Sequence, residues 1–141
     1  MRILWLKTEL LHPVDKGGKI RTYQMLKEMK RHHHITYLTL DEMVGDSPFP
    51  EQAYEYCHEL IRVPHRSEDK FTARFYAELA LNLVSPLPYF IQKYRSSAMA
   101  RKIKSALYEQ RPDLLVCDFL HPSVNMPDQV PCPSVLFQHN V

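Results

Sequence analysis

Apolar positions along this chain fall into two patterns: short continuous runs, and runs spaced at three and four residues. The first continuous run, Ile3-Leu4-Trp5-Leu6, predicts a strand from about Arg2 to Lys7. A polar, proline-containing loop from Thr8 to Lys16 leads to the pair Gly17-Gly18. Beyond it Ile20, Tyr23, Leu26 and Met29 recur near one helical face, which predicts a helix from Gly18 to Arg31 or His32. Ile35 to Leu40 is rich in β-branched and aromatic residues and reads as a second strand. Asp41 to Pro50, with Gly45, Pro48 and Pro50, is a loop. A short helix around Gln52–Tyr56 precedes a third strand, Leu60–Val63, stopped by Pro64.

The middle of the chain changes period. Phe71, Phe75, Leu79 and Leu83 stand four apart and predict an amphipathic helix, broken by Ser85-Pro86-Leu87-Pro88. A further helix follows with Met99, Ile103, Ala106 and Leu107 as its buried face, ending before Pro112. Leu114-Leu115-Val116-Cys117 is the continuous apolar run of a central parallel strand, and Ser134–Phe137 is the last strand. Strands alternating with helices predict an α/β fold: a mainly parallel sheet with helices on both faces. Right-handed crossovers gather the loops after the strands at one edge, where ligands of open α/β sheets bind. Chemistry is therefore expected at Thr8–Gly18, after Asp41, after Pro64, at Asp118–His121 and at Gln138–Asn140.

Composition narrows the class. The 141 residues suffice for one domain with a real core, and 45% hydrophobic with 24% charged residues is a globular balance. A net charge of +2 gives no basis for nucleic acid as the main partner. Cys57, Cys117 and Cys132 are an odd number without a C-x-x-C pair, which argues against a disulfide framework and a zinc site and for reduced thiols in the cytoplasm. No apolar stretch reaches the ~18–20 residues that span a bilayer, and Lys7 and Glu9 interrupt the only apolar run at the N-terminus. The chain stops directly after its last strand, where an α/β unit normally adds a covering helix. The expectation is a piece of something longer.

Gly17-Gly18 at a helix start aims backbone N–H groups beyond the strand edge and lets a phosphate approach closely. An ordinary glycine turn has the same appearance. The P-loop pattern fails, because Lys19 is followed by Ile20 and Pro13 stands where its first glycine belongs. G-x-G-x-x-G is impossible with Gly45 as the one other glycine. Phosphate contact would fall to the helix N-terminus with Lys16, Lys19 or Arg21. His32-His33-His34 point in different directions and suit a helix C-terminus better than a metal. His121 and His139 each follow a strand at the ligand edge; Asp118 either orients His121 or caps the segment after it. Tyr89 to Arg111 carries Lys93, Arg95, Arg101, Lys102, Lys104 and Arg111 against Glu109, with Tyr89, Phe90 and Tyr94 interleaved. This is either a solvated helix face or a peripheral contact with anionic lipid at the inner membrane face.

Taken together these residues resemble the N-terminal domain of a GT-B-fold glycosyltransferase of family 4. The resemblance rests on Met1–Lys7, on Gly17-Gly18 opening the first helix, on Arg111-Pro112-Asp113-Leu114-Leu115-Val116, and on Phe137-Gln138-His139-Asn140. It covers essentially the whole chain and is strongest to bacterial sugar transferases of exopolysaccharide assembly, in which an H-N-V-E segment continues the chain. It implies a Rossmann-like domain, residues 1–141, forming the acceptor side of a cleft, with a C-terminal donor-binding domain lying outside this chain. It further implies retaining transfer from a nucleotide sugar to a lipid-linked or saccharide acceptor, with no cofactor and no metal. Gly17 and Gly18 would meet the donor phosphate and His139 the transferred sugar, with Asp15 and His121 on the acceptor side. The family's E-x7-E carboxylates are absent, so the fragment alone is expected to be inactive. Two other readings stand: a non-catalytic flavodoxin-like binding module, and another sugar-nucleotide enzyme such as an epimerase.

Overall fold

The strand read first from the sequence is the middle of the sheet. In a computed structural model, which describes residues 1–41, 51–65 and 71–138, β1 (Arg2–Lys7) is buried from Ile3 through Lys7. β2 (His34–Asp41) pairs with it on one side and β4 (Leu114–Asp118) on the other. β3 (Glu59–Pro64) adds to β2 and β5 (Ser134–Phe137) to β4, giving the order β3-β2-β1-β4-β5 with every pairing parallel. This is the expected Rossmann-like α/β sheet. Pro64 lies inside β3 rather than beyond it, paired with Asp41. An edge strand tolerates a residue that cannot donate to the ladder.

Side chains alternate between the two faces, so each strand feeds two cores. On one face Ile3, Trp5, Ile35, Tyr37 and Val116 meet Leu26 of α1 (Gly17–Met29), with Ala53, Tyr56 and Cys57 from the 3-10 helix Glu51–Glu55 and its exit. On the other face Leu4, Leu6, Leu38, Leu40 and Leu115 meet Met99, Ile103, Ala106 and Leu107. Those four side chains are the buried stripe read from the spacing, carried by α4 (Ser97–Glu109). Ser96 starts α4 by accepting the Met99 N–H at 3.2 Å. Burying a side chain the size of Ile103 or Leu107 contributes on the order of 1.5–3 kcal/mol, so α4 is fixed mainly by packing.

Two expectations are corrected. α1 ends at Met29, and the N–H groups of His32 and His33 fold back onto the Met29 carbonyl at 3.1 and 2.9 Å. The helix is also rotated from the expected face: Ile20 is exposed and Thr22 is buried in its place. Second, the predicted helix of Phe71, Phe75, Leu79 and Leu83 forms as α2 (Ala73–Asn82), capped by Thr72, yet none of its residues is buried. The sheet face on that side is already covered by α4, so the stripe finds no core. β5 is the other edge of the sheet, leaving Val135 and Leu136 about half exposed. A short α3 (Tyr89–Gln92) separates α2 from α4.

Candidate functional site

The strand order reverses direction between β1 and β4, and the crevice beyond the carboxyl ends of these two strands is where such sheets bind ligands. Lys7 ends β1 and Asp118 ends β4. Leu6 is in register with Cys117, so the next residue on each strand is brought side by side. Both point to the α1 face with Trp5 and Val116. Lys7 Nζ lies 2.8 Å from Asp118 Oδ2, with side-chain exposures of 4% and 0%. The same oxygen accepts from Trp5 Nε1 at 3.1 Å and from Thr22 Oγ1 of α1 at 2.9 Å. One carboxylate thus ties β1, β4 and α1 together under the crevice. A buried charge pair persists only when such extra bonds satisfy it. Asp118 was expected either to orient His121 or to cap the next segment; these bonds give it a different task, clasping the switch point.

Phe119 follows with φ of 68°, in the left-handed region that a bulky side chain avoids. Its backbone is held there by its N–H to the Phe137 carbonyl at 2.9 Å. The ring lies under the Lys7 ammonium, 5.1 Å from ring centre to Nζ, and 6.1 Å from the His121 ring. A Cβ built on Gly18 would sit 3.9 Å from Phe119 Cε2, and one on Gly17 would meet nothing within 4 Å. Phe119 therefore forms the floor between the helix start and His121. Strain of this kind costs on the order of 1–3 kcal/mol and collects at functional sites. Sequence reasoning passed over this residue, since glycine and asparagine are the usual markers of a left-handed position.

His121 opens a 3-10 turn, His121–Asn125. Buried Asn125 fixes that turn: its Oδ1 accepts the Ser96 N–H at 2.7 Å and its Nδ2 donates to the Tyr94 carbonyl at 2.8 Å. The imidazole consequently rests among Tyr94, Phe90 and Phe119, with ring centres 4.9, 5.8 and 6.1 Å away. Burial, then the ammoniums of Lys93 and Lys7, hold it below the ordinary histidine value, with Glu9 pulling the other way. The neutral imidazole is thereby favoured, leaving one ring nitrogen able to accept a hydrogen bond.

Gly17 and Gly18 begin α1 directly above this floor, and no described side chain caps that helix start. Neither glycine has a positive φ and neither is pressed by a neighbour, so the fold itself does not demand them. Of the three cations near them, Lys19 is buried and turned to Glu9, Nζ to Oε2 3.4 Å, while Lys16 and Arg21 are exposed. Asp15 is exposed in the preceding loop. Gly18 and His121 share the crevice through Phe119. His139 and Asn140 lie outside the described residues, as do the whole loop 42–50 after Asp41 and residues 66–70 after Pro64. Among the described residues no group of three or more His, Cys, Asp or Glu is placed to hold a metal ion. His34 stacks on His58 with ring centres 4.8 Å apart, at the far end of β2.

No family model matches the chain, and no curated protein matches it by sequence. Solved structures do resemble it. The glycotransferase of kitacinnamycin superposes with a TM-score of 0.55 at 20% identity, over 97% of this chain and 30% of that one. A UGT transferase from Siraitia grosvenorii, in complex with UDP, gives 0.51 at 12%, over 96% and 27%. The C-terminal domain of a hydrogenase from Pyrococcus furiosus gives 0.54 at 12%, over 96% and 90%. The chain spans about a third or less of either transferase. What is shared is the fold, a Rossmann-like α/β domain.

Proposed function

We propose that this chain is the acceptor-side domain of a two-domain glycosyltransferase of the GT-B type, related to family 4. The observation that carries the reading is the α1 start at the switch-point crevice, open over Gly17 and floored by Phe119 beside Gly18, on a sheet resembling transferase domains. A structure of one such neighbour holds UDP. The diphosphate of a nucleotide sugar meets the α1 N-terminus, where backbone N–H groups and the helix dipole favour negative charge. A second domain supplies the nucleotide pocket and the remaining cations that stabilise the leaving diphosphate. His139 faces the transferred sugar, which leaves with retention of configuration. His121, its neutral form favoured, accepts a hydrogen bond from the acceptor hydroxyl, and Asp15 borders the same side. The acceptor is a growing saccharide or its lipid-linked form, in cytoplasmic assembly of a cell-surface polysaccharide. The reaction requires no cofactor.

Amide NMR titration of the chain with UDP, UDP-sugars and GDP-sugars tests this. Shifts at Gly17, Gly18 and Phe119, with affinity weaker than micromolar, are expected. Gly17→Val should erase them while changing stability by no more than about 1 kcal/mol, since valine is the better helix former and has room. Micromolar binding by the chain alone, or shifts confined to other surfaces, would overturn the two-domain reading. A second reading, a non-catalytic binding module, draws on the hydrogenase domain, which matches this chain over nearly its whole length. It is favoured if no sugar nucleotide shifts any amide.

A further inference from the structure

α2 faces the wrong way for a helix in water. Its half-buried side carries Thr72, Phe75, Glu78 and Asn82, and these make the contacts inward. Thr72 caps the helix, Phe75 meets Tyr89 of α3 edge-on at 5.5 Å, the Glu78 carboxylate accepts from the Tyr89 hydroxyl at 3.4 Å, and Asn82 donates to the Leu87 carbonyl at 3.1 Å. The solvent side is apolar. Phe71, Leu81, Leu83 and Val84 are 79%, 72%, 85% and 90% exposed, with Tyr76 and Leu79 between them. An exposed cluster of this size marks a surface that is covered in use.

Charge indicates what covers it. A groove of about 360 Å³ runs beside the apolar face between α2 and α3, lined by Leu81, Ser85 and Tyr89 and by the cations Arg74, Lys93 and Arg95. Among the described residues Glu78 is the one acid in its lining, and its carboxylate lies 3.7 Å from Arg74 Nε. An apolar face rimmed by cations suits the boundary between acyl chains and anionic headgroups. No helix among the described residues is long and apolar enough to cross a membrane, and α2 extends only about 15 Å at the standard rise per residue. Such an element lies in the interface rather than spanning it.

We propose that α2 and the segment after it, Leu83 to Phe90, dock this protein onto an anionic phospholipid surface, with Leu83 and Val84 inserted among the acyl chains and Arg74, Lys93 and Arg95 at the phosphates. Phe90 connects this surface to the crevice: it is half exposed on α3 and its ring stands 5.8 Å from that of His121. A bilayer-bound molecule would therefore arrive beside His121. The proposal stands on the polarity of α2 and does not require sugar transfer.

Co-sedimentation with vesicles of phosphatidylcholine mixed with phosphatidylglycerol, against phosphatidylcholine alone, tests it. Binding at least about tenfold tighter to the anionic vesicles, weakened by added salt, is expected. Leu83→Ser/Val84→Ser and Arg74→Gln/Arg95→Gln should each lower it about tenfold or more without altering the thermal midpoint. Lys27→Gln/Arg31→Gln, in the last turn of α1 and just beyond it, with the same change in net charge, should stay within about twofold. No binding to anionic vesicles, or equal loss in the α1 variant, overturns the proposal. Self-association in lipid-free solution that Leu83→Ser/Val84→Ser abolishes would overturn it in favour of a second copy.

Discussion

Replacing Asp118 by asparagine tests whether one carboxylate holds the switch point together. The substitution keeps the shape and removes the charge. In the native domain Asp118 Oδ2 accepts from Lys7, Trp5 and Thr22 at 2.8, 3.1 and 2.9 Å. An asparagine that presents its oxygen to these donors still leaves the Lys7 ammonium, 4% exposed, without a counter-charge. Turned the other way, it sets an NH2 group against three donors. Breaking a buried pair by removing one partner costs about 3–5 kcal/mol. For a domain whose whole stability is of order 5–15 kcal/mol, Asp118→Asn should lower the thermal midpoint by on the order of 10 °C or more. Lys7→Met should cost less, because the carboxylate keeps its bonds from Trp5 and Thr22. Urea denaturation of both single variants and of Lys7→Met/Asp118→Asn closes a double-mutant cycle, and a coupling above ~1 kcal/mol is expected for groups in contact. An Asp118→Asn protein within ~1 kcal/mol of the parent, or strict additivity, would refute the clasp.

Two further outcomes follow from titrating groups. Burial pushes the Cys57 and Cys117 thiols up to about 12, whereas half-buried Cys132 is raised less far; a thiol reagent at pH 8 should label Cys132 first and the other two only on unfolding, and rapid native labelling of Cys117 would contradict the packing of β4. His121 is held below its unfolded value near 6.5, so the unfolded chain takes up the proton first: stability is full above that value and is lost as pH falls through it toward the folded pKa. His121→Gln should flatten the stability loss between pH 7.5 and pH 5.5 measured by urea denaturation, leaving the contribution of His58, which is lowered in the same direction; an unchanged slope would show that the imidazole is not held neutral.

Local period alone places the strands and helices. Continuous runs such as Leu114–Cys117 and the stripe Met99, Ile103, Ala106 and Leu107 report local period and intended burial, and those elements appear where the periods put them. Gly17-Gly18 and His121 were legible as edge residues for the same reason, since each lies in the connection that leaves the carboxyl end of a strand. What burial partner a stripe receives is not local information. Phe71, Leu79 and Leu83 carry the period of a core helix, but α4 already occupies the sheet face, so the same pattern that buries α4 leaves α2 outside. The clasp was equally hidden. Lys7 reads as a break in an apolar run and Asp118 as a neighbour of His121, and only the pairing of β1 with β4 brings together charges 111 residues apart. The left-handed Phe119 is held by its backbone bond to the Phe137 carbonyl rather than chosen by its own side chain. Local spacing fixes the elements because backbone geometry is periodic; the site needed the tertiary structure because its contacts close only when strand order does.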